Sequence, residues 1–366
     1  MLFLSRASPT LSLSVARTPR RAVSGRHFFH SPSSKAAIAH PITAHGPPPK
    51  VPSPASGPEE PKETRQETPG SSQGRPIVPT RPDVSALKKR FWKNVDIQEL
   101  PEKGEYRVLL DARPVRTPQK DILSIPSTKS HLANAVALEW DVMTTAQQAL
   151  KNHLIPLTSL TARAEDIVQE DKRGEHTTRD QIVETAMRYL ETDTLLCWVP
   201  EQEAHLEEYD ENGQKRESLR DAQVRIAKDV MAFLSTKVWP GVEIKPILDT
   251  NSIFPASQSQ ATKDIIQQWV RDLQPYDLAA LERGVLAAKS LLVAVRLVTE
   301  WSENFRHLQQ TRQKKFGIEE AAEASSLEVS WQTDMWGEVE DTHDVDNEDI
   351  RRQLGSVIVL VSGNAK

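Results

Sequence analysis

The chain has 366 residues, is 38% hydrophobic and carries a formal net charge of −5 at pH 7. This length is enough to bury the core of one or two domains. A single cysteine, Cys197, excludes an internal disulfide and a zinc site built from cysteines. The most apolar run, Val285–Val298, is interrupted by two basic residues and is shorter than the roughly 18 apolar residues that a membrane-spanning helix needs, so no integral membrane span is expected.

Positive charge dominates the N-terminus. Residues 1–58 are rich in Ser and Ala and contain no Asp or Glu. A basic, acid-free segment of this kind predicts a mitochondrial transit peptide, assigned to residues 1–40, although a disordered basic tail has the same composition. Residues 41–84 are rich in proline and poor in apolar side chains, which predicts a disordered linker. The basic residues of segment 1–58 are Arg6, Arg17, Arg20, Arg21, Arg26, Lys35 and Lys50.

The remainder of the chain is acidic. The first 58 residues contribute +7 to the net charge of −5, so residues 59–366 carry about −12. Nucleic-acid binding requires clustered Lys and Arg, so it is not expected of this chain. The one basic–aromatic cluster is "KKRFWK" at Lys88–Lys93. We interpret it as the start of a domain in which Phe91 and Trp92 pack inward, with RNA binding as the alternative.

Residues 85–127 have the pattern of a small β-domain. Val95–Leu100 alternates between apolar and polar residues, as does the segment from Tyr106 to Leu110. Turns are predicted between these segments and again at Asp111, a residue type favoured at the first turn position. A further short strand is predicted at Ile122–Ile125. A unit of this size needs other elements to complete its core.

Residues 128–366 are predicted to form a larger helical domain, which makes the fold class α+β. Ser127 or Thr128 is a plausible N-cap for the first helix. Trp140 shares a helical face with apolar residues at spacings of three and four, so it is predicted to belong to the core. Residues 277–301 are apolar on nearly every face, which predicts one central buried helix. Cys197 lies in "DTLLCW" and is predicted to be a structural core thiol, and a last long helix is predicted over Glu319–Val339.

Motifs for nucleotide, hydrolase and metal chemistry are missing from the sequence. There is no G-x-x-x-x-G-K-[ST], G-x-G-x-x-G, G-x-S-x-G or H-E-x-x-H pattern, and the chain has 14 glycines. The acidic segment "DVDNEDIRR" lacks the glycine that a calcium loop needs at its sixth position. His343 has no second histidine at ligand spacing. We therefore expect no cofactor, no metal and no catalytic residue.

The last long helix has two neighbouring rows at i, i+4 spacing. The first row is apolar and can face the core. The second combines carboxylates, an amide and a large aromatic ring, a composition typical of protein-binding hot spots. The alternative is that Trp336 belongs to the core and that Glu328 caps or pairs with a neighbouring helix. The first row is Leu327, Trp331, Met335 and Val339, and the second is Glu328, Gln332, Trp336 and Glu340.

Six motifs, in order from Lys88 to about Gly355, resemble one family. They are "RFWKNV", "VLLDARPVRTP", "LANAVALEWD", "IPLTSL", "YLETDTLLCW" and "SSLEVSWQTDMWGEVEDTHDVDNEDIRRQLGS". The chain resembles the assembly chaperones of mitochondrial F1-ATPase that bind its alpha subunit. One departure is Ala112, where many members have glycine in a turn.

The resemblance implies a protein of the mitochondrial matrix that binds the F1-ATPase alpha subunit, with no cofactor and no catalysis; a monomer is expected. It also implies that "WGEVEDTHDVDNE" (336–348) is the end of a client-binding helix. The client-binding residues implied are Glu328, Gln332, Trp336, Gly337, Glu340, His343 and Asp344.

Two other functional classes are alternatives. The first is a matrix enzyme that uses Glu328, Glu340 and His343 as acid/base groups, which predicts that these side chains converge on a concave pocket. The second is a factor bound to RNA or to the mitochondrial ribosome, which conflicts with the acidic charge of residues 59–366.

Overall fold

A computed structural model of the chain describes five ranges of residues, all within one compact unit, Ile77–Lys366. The predicted transit peptide (1–40) and linker (41–84) lie outside the described residues, and so do residues 201–216. The described ranges are 88–200, 217–248, 254–309, 314–339 and 342–364.

A small antiparallel sheet opens the described chain. Strand β1 (Val95–Leu100) pairs with β2 (Glu105–Leu110) along its whole length. Two short strands, β3 (Arg113–Pro114) and β4 (Ile125–Pro126), pair with β2 as well, so β2 is the central strand. At the turn after β2, Asp111 has a left-handed φ of 55°. Its carboxylate accepts hydrogen bonds from the backbone N–H groups of residues 93 and 94, and these bonds lower the pKa of Asp111.

Helices follow the sheet and complete its core. The described residues contain α1 (Ser130–Val142), α2 (Pro156–Arg173), α3 (Thr177–Leu190), α4 (Leu219–Phe233), α5 (Gln260–Arg271), α6 (Pro275–Ala288), α7 (Leu291–Trp301), α8 (Ile318–Trp336) and α9 (His343–Val361). The predicted α+β fold class is confirmed. One hydrophobic core runs from the sheet through the helices. The division at residue 127 into two domains stays a prediction.

The start of the first helix differs from the prediction. Residues Ser127–Lys129 form a 3-10 turn, and α1 begins at Ser130 without a side-chain cap. Trp140 in α1 is half-buried: its ring packs edge-on against Trp92, with 5.4 Å between the ring centroids, and its Nε1 donates to Thr158 Oγ1 at 3.1 Å. Trp92 is 2% exposed. The prediction that Phe91 packs inward is wrong, because its side chain is 62% exposed.

The predicted single helix over 277–301 is two helices. Lys289 has a left-handed φ of 52°, which ends α6, and the Ser290 hydroxyl accepts a hydrogen bond from Val293 N–H at 3.1 Å, which starts α7. A serine with extended backbone is a good N-cap, so the chain turns here although both helices are apolar. The predicted burial is observed on both sides of the break.

Helices α8 and α9 are each anchored at one end. In α8 the buried residues Ala321, Ala322 and Ala324 all lie in the first two turns. In α9 the buried residues lie between 354 and 361, and the buried Lys129 Nζ donates to the carbonyls of Val361 and Ser362. The Glu319–Arg351 ion pair, at 3.1 Å, joins the start of α8 to the middle of α9. The helices therefore run antiparallel, and the end of α8 and the start of α9 point away from the core. Within the part of the chain that the structure describes, no helix is long and apolar enough to cross a membrane.

Candidate protein-binding site

The end of α8 and the start of α9 form an exposed projection, called here the tip (residues 328–339 and 342–349). Between residues 328 and 339 no side chain is buried, whichever face of the helix it occupies. A helix of 19 residues is about 28 Å long, and the buried alanines account only for its first part. A helix end without buried side chains exposes much of its surface to other molecules.

The tip combines apolar side chains with negative charge. Trp336 is 80% exposed, and Val339 and Val345 are more than half exposed. A large exposed aromatic ring surrounded by polar groups is the composition of a protein-binding hot spot. The described residues of the tip include no Lys or Arg. They include seven carboxylates, Glu328, Asp334, Glu338, Asp344, Asp346, Glu348 and Asp349.

Glu328 lies at the inner end of the tip. Its side chain is exposed, and Gln332 Nε2 donates to Glu328 Oε1 at 3.3 Å, as the predicted i, i+4 row requires. Glu328 lines a cleft of about 240 Å³ together with Cys197, Gln223 and Lys289. Cys197 and Lys289 are far from Glu328 in the chain, so the spacing of residues along one helix could not predict this cleft.

Cys197 is half-buried beside this cleft and packs against the core. Burial raises the pKa of the Cys197 thiol, and the nearby carboxylates of Asp193 and Glu328 raise it further. A thiol held in its neutral form is a poor nucleophile. This environment agrees with a structural role for Cys197.

The stretch 336–348 spans two helices, so the expectation that it forms the end of one helix is wrong. Gly337 has a φ of 88°, which ends α8 after Trp336. Val339 N–H donates to His343 Nδ1 at 3.1 Å, and His343 N–H donates to the Val339 carbonyl at 3.2 Å. Asp344 lies in the first turn of α9, where the helix dipole favours a carboxylate. Glu340 lies outside the described residues.

The apolar row of α8 faces the core only at its start. Leu327 and Trp331 are half-buried, whereas Met335 is 41% exposed and Val339 lies beyond the end of the helix. The prediction that the whole row can face the core is therefore wrong. Trp336, for which a core position was the alternative, is exposed.

The acid/base alternative has no geometric support among the described residues. The side chains that line the cleft beside Glu328 do not include His343. The His343 imidazole instead accepts a backbone hydrogen bond within its own turn. In the described parts of the chain, no group of three or more His, Cys, Asp or Glu side chains has an arrangement that could hold a metal ion.

Comparisons with known proteins point to the same family. Residues 89–235 match the model of the ATP12 chaperone protein family. The chain is 30% identical over 275 residues to the Schizosaccharomyces pombe protein atp12, mitochondrial, a match that covers 74% of this chain and 81% of the relative. The chain belongs to the ATP12 chaperone family. The family resemblance in the six sequence motifs is confirmed.

Further members agree with this assignment. The Saccharomyces cerevisiae protein ATP12, mitochondrial, is 30% identical over 286 residues, covering 75% of this chain and 84% of the relative. The crystal structure of Atp12 from Paracoccus denitrificans superposes with a TM-score of 0.53 at 22% identity, covering 75% of this chain and 97% of that one. At this identity the superposition shows a shared ATP12 fold: a small sheet followed by helices.

Proposed function

We propose that this ATP12-family chain is an assembly chaperone for the F1 sector of mitochondrial ATP synthase. It binds the unassembled alpha subunit in the mitochondrial matrix, as a monomer, until beta subunits replace it. Family membership and the mitochondrial designation of both fungal relatives support this proposal. The main structural support for the binding site is Trp336, which is 80% exposed at the end of α8, where no neighbouring residue of the helix is buried.

Such a chaperone has a physical reason to exist. A free subunit of a ring exposes surfaces that are meant for its neighbours, and such surfaces associate with one another before assembly. A chaperone that covers one of them has to bind more weakly than the final neighbour, so that release occurs by exchange. This mechanism needs no nucleotide, in agreement with a sequence that has no phosphate-binding loop.

The chemistry of the tip favours a client surface that is basic and partly apolar. Asp349 already pairs with Arg352, and the other six carboxylates of the tip complement a basic client surface. Trp336 requires an apolar contact within that surface. The exposed Glu328 carboxylate supports the proposal because it can accept a charge-assisted hydrogen bond from an Arg, Lys or backbone N–H of the alpha subunit. One such bond is worth roughly 1.5–3 kcal/mol when it is desolvated in the complex.

Two substitutions in the tip test this proposal. Glu328→Lys replaces an attraction with a repulsion, and Trp336→Ala removes the exposed ring. Both variants should melt like the wild type, because both side chains are exposed. Both should bind purified alpha subunit at least about tenfold more weakly, as expected from the loss of more than about 1.4 kcal/mol.

A matched control lies on the same helix. Glu323→Lys makes the same charge change at another exposed position of α8, outside the tip. It should bind the alpha subunit normally. Equal losses for Glu323→Lys and Glu328→Lys would show that net charge, not the tip, governs binding. Normal binding by both tip variants would place the client elsewhere.

A further inference from the structure

A second exposed surface is formed by residues from the first part of the described chain. It consists of residues 88–93, the last two turns of α1, and the 3-10 turn Ala146–Leu150 with Lys151, and is called here the basic–apolar patch. Phe91, Leu138, Val142 and Leu150 are each between 62% and 70% exposed. Leu138 and Val142 are four residues apart, so they share one face of α1.

Hydrogen bonds hold the three segments side by side. Arg90 Nη1 donates to the carbonyls of Asp141 and Met143, at 2.6 Å and 3.3 Å. Ala146 N–H donates to the Lys89 carbonyl at 3.4 Å. Residues 89–91 therefore lie along the end of α1 and the turn that follows it, so the three segments that carry the exposed apolar side chains are held together.

The charge around these side chains is positive. Lys88, Lys89, Lys93 and Lys151 are all exposed. Carboxylates are fewer than cations here: Asp141 pairs with Arg90 at 3.1 Å, and Asp111, which keeps its charge, accepts the N–H groups of residues 93 and 94. A third carboxylate, Glu139, turns inward to accept hydrogen bonds from Leu157 and Thr158 at the start of α2. The patch thus has an excess of cations in a chain whose residues 59–366 carry about −12.

We propose that the basic–apolar patch docks the protein peripherally on an anionic phospholipid membrane. Lysines around exposed Phe, Leu and Val side chains are the composition of surfaces that bury apolar groups at the level of the lipid headgroups while cations contact anionic lipids. Three of the four exposed apolar side chains are aliphatic, which favours lipid over nucleic acid, because RNA is bound through aromatic stacking. The acidic tip is a separate surface of the opposite charge, so this inference does not depend on the identity of the client.

Vesicle flotation and hydrogen exchange test the docking surface. The full chain is mixed with vesicles of phosphatidylcholine alone or of phosphatidylcholine with cardiolipin. The wild type should float with cardiolipin vesicles at low salt and be released by high salt. Backbone amides of residues 88–93 and 138–151 should exchange more slowly when those vesicles are present, which separates docking by the patch from attachment by the basic N-terminus.

Charge and apolar variants have matched controls. Lys89→Glu with Lys93→Glu should lower partition to cardiolipin vesicles on the order of tenfold or more, because each Lys near an anionic surface contributes measurably. Lys228→Glu with Lys237→Glu makes the same net change at exposed positions elsewhere and should have little effect. Leu138→Ser with Val142→Ser should weaken binding, whereas Ile265→Ser with Leu286→Ser, at other exposed apolar positions, should not.

Three outcomes would overturn the proposal. In the first, the patch amides exchange equally fast with and without cardiolipin vesicles, so that any flotation is due to the N-terminus. In the second, the control variants lose partition as much as the patch variants do. In the third, the patch amides are protected by single-stranded RNA or by the alpha subunit and not by vesicles.

Discussion

Replacing Trp140 by arginine tests how the helical region is joined to the sheet. The ring is half-buried, so we expect the substitution to lose about half of the 3–5 kcal/mol typical of deleting a fully buried Trp. The hydrogen bond from Trp140 Nε1 to Thr158 Oγ1 adds about 1 kcal/mol, and so does the edge-on contact with Trp92. The aliphatic part of arginine can refill some of this space at a half-exposed site. The expected loss of unfolding free energy for Trp140→Arg is about 2–4 kcal/mol.

Urea unfolding followed by circular dichroism measures this loss, with a matched control in the same chain. Trp336→Arg is the same chemical change at a side chain that is 80% exposed, so its unfolding free energy should stay within about 0.5 kcal/mol of the wild type. Trp140→Arg should unfold at a lower urea concentration. Equal midpoints for Trp140→Arg and the wild type would refute the structural role of Trp140.

Three further predictions concern buried charge and the N-terminus. Burial raises the pKa of Glu165 to about 7, so its ionisation lowers the stability of the native state as pH rises from about 4.5 to 7. Glu165→Gln keeps an acceptor for Tyr276 Oη. In urea unfolding this variant should be up to about 3 kcal/mol more stable than the wild type at pH 8, with little difference at pH 4. Lys129→Met leaves Glu303 and the last carbonyls of α9 without their ammonium partner and should cost about 3 kcal/mol in the same assay, whereas Lys151→Met, at an exposed position, should cost little. Deletion of residues 1–84 should leave a folded protein that binds alpha subunit in vitro but is not imported into mitochondria; failure to fold would move the domain boundary.

The sequence predicts regular elements well where side-chain periodicity decides them. The alternation in Val95–Leu100 and the apolar stripe through Trp140 correspond to β1 and α1. The break at Lys289 is hidden, because lysine is not a residue that usually adopts a left-handed conformation and both flanking helices are apolar. The end of α8 is different. Gly337 is a signal for helix termination in the sequence, and α8 ends just before it, short of the predicted end at Val339.

The candidate site was predictable as a pattern on one helix but not as an exposed surface. Spacing places Glu328, Gln332 and Trp336 in one row, and periodicity shows which residues share a face. It does not show whether another helix covers that face. The exposure of Trp336 follows from the antiparallel arrangement of α8 and α9, whose buried residues lie only near the start of one and the end of the other. This arrangement depends on contacts between residues far apart in the chain.

Photo-crosslinking from position 336 tests the central claim most directly, because it identifies the partner and the contact together. A photoreactive phenylalanine analogue replaces Trp336 in the full chain, is activated in intact mitochondria during ATP synthase assembly, and the crosslinked protein is identified by mass spectrometry. The same analogue at Phe91, an exposed aromatic outside the tip, is the control. We predict a crosslink to the F1 alpha subunit from position 336 and none to it from position 91. A crosslink to the alpha subunit from position 91 but not from 336, or to a different protein from position 336, would contradict the account.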